Sequence, residues 1–521
     1  MTMPPIADTI HDLLEANFKK WADKDYVWAK VDGVYTPTTY GELINRAQAI
    51  AVGLIDRGYK DQRIAIFSEN SPTWMALDFA IMGYVGNSVG FSKDWLEYDA
   101  ANAIKIADVD LVFYSKANSL AAERLIKTHP KVEFLQIETD IEDLIRSGEQ
   151  ILKKNPKFLL KHIQDSQSPC KVVFTSGTTA LPKAIELTYA NMIACGEGLY
   201  GRTPTDESDV YYLFLPLHHV YAGIGVFACS FFMGTQVYLS EDVHNMKEEL
   251  AEAKPTVFCA VPLVYEKFYE AIGEENLAKI EKGLKLARLF QKLGLDIRKS
   301  LFKKVHQIFG GRTKYIFSGG AKFDPKIKQL FKDLGLNMIE GYGLSETSSM
   351  IAMEYPGAQK LESVGKVFEN IEIKFVDKDE NGHGEIAVKG ANVMNGYYKN
   401  PQANKKAFDS DGYFLTGDIG YQDADGNLFI VGRKERLIVT SNGENVSPKE
   451  LESLISKFSK AITNVVVYQD GNDINARIYV NSPKLPNFKQ QIDALNKTLP
   501  SFKHIQHTTV MPEGAKSQIK K

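Results

Sequence analysis

Cysteine is scarce and scattered in this chain. Its 521 residues hold four, Cys170, Cys195, Cys229 and Cys259, with no C-x-x-C pair among them. That spacing argues against a disulfide framework and a zinc site, and it fits core thiols in a reducing compartment. An excess of one charge is also missing. The formal net charge is −3 and the pI about 6.4, so no global basic surface points to nucleic acid. No apolar run is long enough to read as a membrane span; Gly223 to Leu239, the most apolar stretch, is broken by glycines and polar residues and reads as a buried helix and strand. Met1 to Lys24 carries Ala7-Asp8-Thr9-Ile10-His11-Asp12-Leu13-Leu14, an amphipathic helical pattern without the continuous apolar region of a signal peptide. Internal repeats and low-complexity linkers are not found. With 44% apolar and 24% charged residues the composition is that of a soluble globular protein, and the length predicts a large domain plus a smaller one.

What is present alternates. Tyr40-Gly41-Glu42-Leu43 opens a helical apolar spacing, Arg63-Ile64-Ala65-Ile66-Phe67 reads as a strand, and Trp74, Met75, Leu77, Phe79, Ile81 and Met82 mark another helix. Asp110-Leu111-Val112-Phe113-Tyr114 and Val132-Glu133-Phe134-Leu135-Gln136 read as strands separated by a helix. Such alternation predicts an α/β layer architecture.

The chemistry gathers at Val172 to Lys183, V-V-F-T-S-G-T-T-A-L-P-K. The end of a buried strand runs into Thr175, Ser176, Gly177, Thr178 and Thr179, and then Pro182 and Lys183. Hydroxyls and backbone N–H groups here can donate to an oxyanion, glycine permits close approach, and the lysine adds a mobile positive charge. An ordinary Ser/Thr-rich surface turn has the same composition. A Walker loop does not fit, because it needs G-x-x-x-x-G-K-[ST] opening into a helix, whereas Ala180 interrupts the glycines and Ile185-Glu186-Leu187 is extended. The stretch resembles the signature loop of the adenylate-forming superfamily of acyl-CoA synthetases, luciferases and adenylation domains. It departs from that loop at Ala180 and Ala184, where glycine is usual. Alanine removes low-cost access to φ > 0, which predicts a strained or reshaped loop wherever those positions need it.

Further segments resemble the same superfamily in the same order. Tyr212-Leu213-Phe214-Leu215-Pro216-Leu217-His218-His219-Val220-Tyr221 reads as a strand running into two histidines. A histidine at a strand end is commonly structural; the resemblance assigns His219 to the carboxylate or acyl pocket. Val261-Pro262-Leu263-Val264-Tyr265-Glu266-Lys267, then a cation-rich helical region spanning 279–304, then Gly310-Gly311-Arg312 look like the long-chain fatty-acid branch. The 279–304 region is either a solvated helix face or an attraction to an anionic membrane surface. Ser318-Gly319-Gly320-Ala321 and Gly341-Tyr342-Gly343-Leu344-Ser345-Glu346 form two glycine turns. Paired turns let a flat ring lie against backbone. The resemblance assigns Gly320, Ala321, Gly341, Tyr342 and Gly343 to adenine, Ser345 to the α-phosphate, and Glu346 with Thr175 to Mg²⁺. Asp418 and Arg433 suit ribose hydroxyls and phosphate, or form a surface ion pair. By resemblance Glu435 is the pivot of a hinge. In the tail, gapless register puts Gln518 where the family carries its catalytic lysine, and Lys516 is the residue chosen to act instead. On composition alone the tail is a frayed solvated end.

The expected fold is therefore α/β, a large multi-layer N-terminal domain with mixed sheets (1–433, binding ATP and the acyl group) and a small mobile α+β domain (434–521). The implied activity is activation of a medium- to long-chain fatty acid with ATP and Mg²⁺ to acyl-AMP, with Glu346, Lys183 and Lys516 as catalytic residues, followed by transfer to CoA. The expected setting is cytoplasmic, with peripheral contact at the inner membrane surface. Two other readings share the motifs: a fatty-acyl-AMP ligase loading a carrier protein, and a nucleotide-binding homologue weakened by Ala180, Ala184 and Gln518. A structural protein without a nucleotide site is a third.

Overall fold

The computed structural model describes residues 7–175, 182–203, 205–434, 438–439, 445–446, 448–470, 473–482, 486–499 and 503–513. Backbone proximity divides the chain into two units, 1–372 with 389–414, and 373–388 with 415–521.

The first unit is organised by two mixed sheets. One runs, in spatial order, Gly396–Tyr397, Lys183–Thr188, Pro169–Thr175, Gly86–Phe91, Gln62–Phe67, Leu111–Tyr114, Glu133–Gln136. Its strands from Pro169–Thr175 onward are parallel, while the two before them pair antiparallel. Parallel strands covered on both faces need apolar side chains at successive positions, and Ile64, Ala65, Ile66 and Phe67 are all fully buried. The other sheet runs Ser363–Val367, Ala352–Met353, Met338–Tyr342, Tyr315–Ser318, Val257–Ala260, Val210–Leu213, Gln236–Leu239, Asp25–Val31, Val34–Thr39. Several helices begin where a threonine closes a capping box, at Thr9, Thr39 and Thr188. The predicted strand through Tyr212 is shorter than its apolar pattern. It ends at Leu213, because Pro216 brings no N–H to a ladder and Asn70 holds the turn, donating to the Leu215 carbonyl at 2.8 Å and accepting from the Leu217 N–H at 2.9 Å. The chain then winds as a π-helix, Tyr221–Ala228.

Two charge clusters are buried in this unit. Lys171, in the strand that ends at Thr175, donates to both oxygens of Asp78 at 2.7 and 2.8 Å, and Ser88 donates to the same carboxylate at 2.5 Å. In the second cluster Lys328 reaches Glu340 at 2.9 Å and Glu354 at 3.0 Å, so one cation serves two carboxylates beneath Met338–Tyr342. Burial pushes the Glu354 carboxyl up to about 7, while the Lys328 ammonium pulls it the other way. Between its usual value of 4.5 and about 7 the unfolded chain ionises this group while the folded chain keeps the proton. Its contribution to stability therefore falls as pH rises through that window and levels off above it. Glu354→Gln is expected to flatten this part of the profile, as read by denaturant unfolding at about pH 5 and about pH 8; an unchanged slope contradicts the assignment.

In the second unit the strands Ile371–Val376, Gly384–Gly390, Phe414–Gln422 and Asn427–Arg433 are neighbours in that order. A separate sheet pairs Ile462–Asp470 antiparallel and Ile505–Pro512 parallel with Asp473–Val480. Leu451 and Ile455 of the helix Pro448–Ser456 and Ile492 of Lys489–Asn496 complete its core with Ile478 and Val480.

Candidate active site

Thr175 and Lys183 are the last facing pair of the antiparallel hairpin formed by Pro169–Thr175 and Lys183–Thr188. Ser176, Gly177, Thr178, Thr179 and Ala180, between them, lie outside the described residues. Ala184 is in the second strand opposite Phe174 and is buried, so its backbone is extended and the strain foreseen for alanine there does not arise. The Lys183 ammonium sits 4.7 Å from the centre of the Tyr397 ring. On the same ring the phenol donates to Glu346 Oε1 at 2.9 Å. Tyr397 thus links the lysine of one motif to the carboxylate of another. It is fixed by pairing with Ile185 and by Asn404, which accepts from its N–H at 2.7 Å and donates to its carbonyl at 3.0 Å.

Glu346 is 9% exposed and, among the described residues, no cation pairs with it. A buried carboxylate is costly unless something positive is supplied. The turn that presents it, Ser345–Thr347, is held from behind. Asn392 donates to the Thr347 and Met350 carbonyls at 3.1 and 2.9 Å, and Ser348 Oγ donates to the Asn392 carbonyl at 2.9 Å. Ser348 and Ser349 have φ of +53° and +102°, conformations that persist only where neighbours over-determine them. Gly343 is obligatory in this turn, since a Cβ would lie 2.0 Å from the Ser349 carbonyl oxygen. Nothing in the local sequence pattern marks Tyr397 or Asn392 as site residues; only the fold brings them to Glu346.

Among the described residues no three His, Cys, Asp or Glu side chains gather as a metal cage. Mg²⁺ does not require one, because it is commonly held by one or two carboxylates with water and substrate phosphates. Glu346 fits that use.

Tyr315–Ser318 and Met338–Tyr342 are adjacent parallel strands, and both glycine turns leave from their C-terminal ends, where parallel sheets bind ligands. Gly320 has φ +82° and Ala321 is exposed. Behind the turns is a cavity of ≈ 40 Å³ whose wall includes Ser318, Gly319 and Gly341 together with Tyr221, Gly225, Cys229, Cys259 and Met350. His219 is exposed on the turn that leads into the π-helix, two residues before Tyr221, and is not part of that wall. His218 lies with its ring 4.3 Å from that of His219. Burial, then the charges of His219 and Lys171, hold its pKa down at about 3, which keeps it neutral.

Asp418 and Arg433 belong to the second unit. They face each other across neighbouring strands with Arg433 Nε 2.9 Å from Asp418 Oδ1, so they are brought together as an ion pair. Asp418 is buried, and Arg433 Nη1 also donates to the Thr416 carbonyl at 3.2 Å. Alongside them Glu385 accepts from the Gly417 N–H at 3.1 Å and from Lys434 at 2.6 Å. Glu435, Lys516 and Gln518 lie outside the described residues.

Residues 14–398 match the AMP-binding enzyme family. The chain is similar to a long-chain-fatty-acid–CoA ligase of Mycobacterium bovis, 32% identical over 508 residues that cover 90% of this chain and 82% of that protein. It is also similar to the peroxisomal long chain acyl-CoA synthetase 7 of Arabidopsis thaliana, 27% identical over 87% of this chain and 70% of that one. Among solved structures, ATP-bound MatB from Rhodopseudomonas palustris has the same fold, with a TM-score of 0.77 at 22% identity over 96% of this chain and 95% of that one. With the family match running through the hairpin, both glycine turns and Tyr397, the chain belongs to the AMP-binding enzymes.

Proposed function

We propose that this protein is an AMP-forming acid–thiol ligase that activates a medium- to long-chain fatty acid with ATP and passes the acyl group to CoA. The observation that carries the reading is the Lys183–Tyr397–Glu346 arrangement, which sets a cation and a buried carboxylate on two sides of one ring. In the first step a carboxylate oxygen of the acid bonds to the α-phosphorus of ATP and the bond to the pyrophosphate oxygen breaks. Both reactants are anionic, so repulsion is the main obstacle and fixed positive groups lower it. Thr175 and Lys183 at the mouth of the hairpin are assigned to the phosphates, and Glu346 to Mg²⁺, which when bound offsets charge on the leaving pyrophosphate. Gly320, Ala321, Gly341, Tyr342, Gly343 and Ser345 are assigned to the adenine and α-phosphate, and Asp418 with Arg433 to the ribose. In the second step the CoA sulfur bonds to the acyl carbon, AMP leaves, and the thiol proton passes to solvent.

His219, on the turn that leads into the π-helix Tyr221–Ala228, is assigned to the carboxylate or acyl end of the acid. Residues 434–521 form the moving part in this reading, with Glu435 at the pivot and Lys516 delivered to the site for adenylation. The setting is cytoplasmic, and peripheral contact of the 279–304 stretch with an anionic lipid surface belongs to the same reading.

Pyrophosphate release from ATP over a panel of fatty and aromatic acids, with and without CoA, tests the proposal. Release that needs a fatty acid, with CoA consumed, is expected; nucleotide binding without release across the panel overturns it, and transfer only to a phosphopantetheinyl protein replaces the acceptor. Lys516→Ala is expected to reduce acyl-AMP formation by about 10²-fold while sparing thioester formation from supplied acyl-AMP. A silent Lys516→Ala, with Gln518→Lys raising adenylation, moves the role to position 518.

A further inference from the structure

Tyr397 sits on very little strand. Only Gly396–Tyr397 is paired, at the edge of its sheet against Lys183–Thr188, with one further bond from the Tyr398 N–H to the Ala184 carbonyl at 2.9 Å. An edge strand of two residues is below the usual strand length, and so short a ladder fixes its position weakly. Side chains must do the rest. Upstream, the Met394 N–H donates to the Glu346 carbonyl at 2.8 Å, and Asn191, in the first turn of the helix Tyr189–Tyr200, donates to the Ala391 and Val393 carbonyls at 2.7 and 3.0 Å. Residues 391–399 are thus a strap, tied at one end to the turn that carries Glu346 and at the other to the hairpin arm that begins at Lys183.

Successive side chains of an extended segment point to opposite faces. Tyr397 faces Lys183 and Glu346. Tyr398 faces the other way and is clamped there: the Arg63 guanidinium lies 3.8 Å from the centre of its ring, and its phenol donates to Asp108 Oδ2 at 2.7 Å. Both jaws are anchored. Arg63 Nη2 is 2.5 Å from Glu186 Oε1, in the strand that pairs with Gly396–Tyr397, and Lys399 pairs with Asp108. A planar guanidinium stacked on a ring and held by a carboxylate restrains the ring's tilt as well as its position. Arg63, Asp108 and Tyr398 are not among the groups assigned to nucleotide, acid or metal. Their effect on the reaction can come only through the strap, and a displacement of about 1 Å in reacting geometry can cost about 10²-fold.

We propose that Tyr398, clamped between Arg63 and Asp108, is a positioning residue that fixes the strap 391–399 and so holds Tyr397 between Lys183 and Glu346. The proposal rests on the ligase reading for the reaction it serves.

The experiment is a double-mutant cycle on fatty-acid-dependent exchange between ATP and pyrophosphate, combining Tyr398→Ala with Tyr397→Phe, each variant titrated with Mg²⁺ and checked for fold by circular dichroism. Tyr398→Ala alone is expected to slow exchange about tenfold and to raise the Mg²⁺ needed for half the maximal rate. In the Tyr397→Phe background the same change is expected to cost no more than about twofold, because the bond it protects is already gone. Tyr398→Phe keeps the stacked ring and is expected to retain most of the wild-type rate. If Tyr398→Ala does not fold, Arg63→Lys takes its place in the cycle, since it keeps a charge for Glu186 and removes the stacked plane; a loss of about threefold is then expected. Losses that multiply in the double variant, or an unchanged Mg²⁺ requirement, overturn the proposal and leave the clamp a stability element. If the wild type exchanges with no acid, the ligase reading falls, and equilibrium binding of ATP with Mg²⁺ decides the proposal alone. Weaker Mg²⁺-dependent binding by Tyr398→Ala but not by Tyr398→Phe then supports it; equal binding overturns it.

Discussion

Glu346→Gln is expected to lower fatty-acid-dependent exchange between ATP and pyrophosphate by about 10²–10³-fold, the range seen when one preorganised electrostatic contact is removed from a transition state. The substitution is conservative in shape. A glutamine carbonyl still accepts from the Tyr397 phenol, so the turn Ser345–Thr347 keeps its support from Asn392 and Met394 while the negative charge is lost. The expected signature is a higher Mg²⁺ requirement together with the lower rate, and an unchanged circular dichroism spectrum. Tyr397→Phe separates the two halves of the arrangement. The ring remains beneath Lys183 and only the hydrogen bond to the carboxylate goes; a bond to a charged group is worth about 1.5–3 kcal/mol, so a loss of roughly 10- to 100-fold is expected. Wild-type exchange by Glu346→Gln at limiting Mg²⁺ removes Glu346 from the proposed role.

The second large effect is on stability. Lys171 and Asp78 are each about 1% exposed, in direct contact, and Lys171 also lies 5.3 Å from the Trp74 ring centre. Removing one partner leaves an uncompensated charge in the core, which costs about 3–5 kcal/mol. Lys171→Met is expected to destabilise the protein by that amount in denaturant unfolding followed by tryptophan fluorescence. Adding Asp78→Leu to it is expected to restore most of the loss, because a well-packed apolar pair is often as stable as the ion pair it replaces. A double variant no better than Lys171→Met contradicts the reading and locates the effect in packing alone. Because Lys171 is four residues before Thr175 on one strand, the same variants report whether that buried pair positions the hairpin: unchanged KM for ATP in a double variant of normal stability shows that it does not.

Legibility in the sequence follows the range of the physics. Short periodic patterns gave their elements closely: Arg63 to Phe67 is within the strand Gln62–Phe67, and the apolar spacing that opens at Tyr40 is the helix Tyr40–Asp56. Those features depend on neighbours a few residues apart. Where a distant residue intervenes, the pattern misleads. The strand through Tyr212 stops early because Asn70, far back in the chain, holds the following turn. Tyr397 could not be singled out for the same reason, since its neighbour Glu346 is 51 residues away in sequence. The residue types at Asp418 and Arg433 suit either nucleotide ligands or an ion pair, and the two do meet; strand register, which the sequence pattern leaves open, sets that contact. The burial of Lys171 and Lys328 is likewise invisible in the sequence, because a lysine inside an apolar run looks like an edge until its carboxylate is found.

Cys229 and Cys259 form part of the cavity wall, and burial lifts both thiols far above their usual range. An acyl-adenylate is a mixed anhydride, and a thiolate within reach would capture its acyl group and lock the enzyme as a thioester of its own side chain. Held as thiols, the two sulfurs are small, polarisable packing and poor nucleophiles. The wall is thereby chemically silent toward the most reactive species the enzyme makes. In the proposed reaction an incoming CoA sulfur would meet no rival thiolate at this wall.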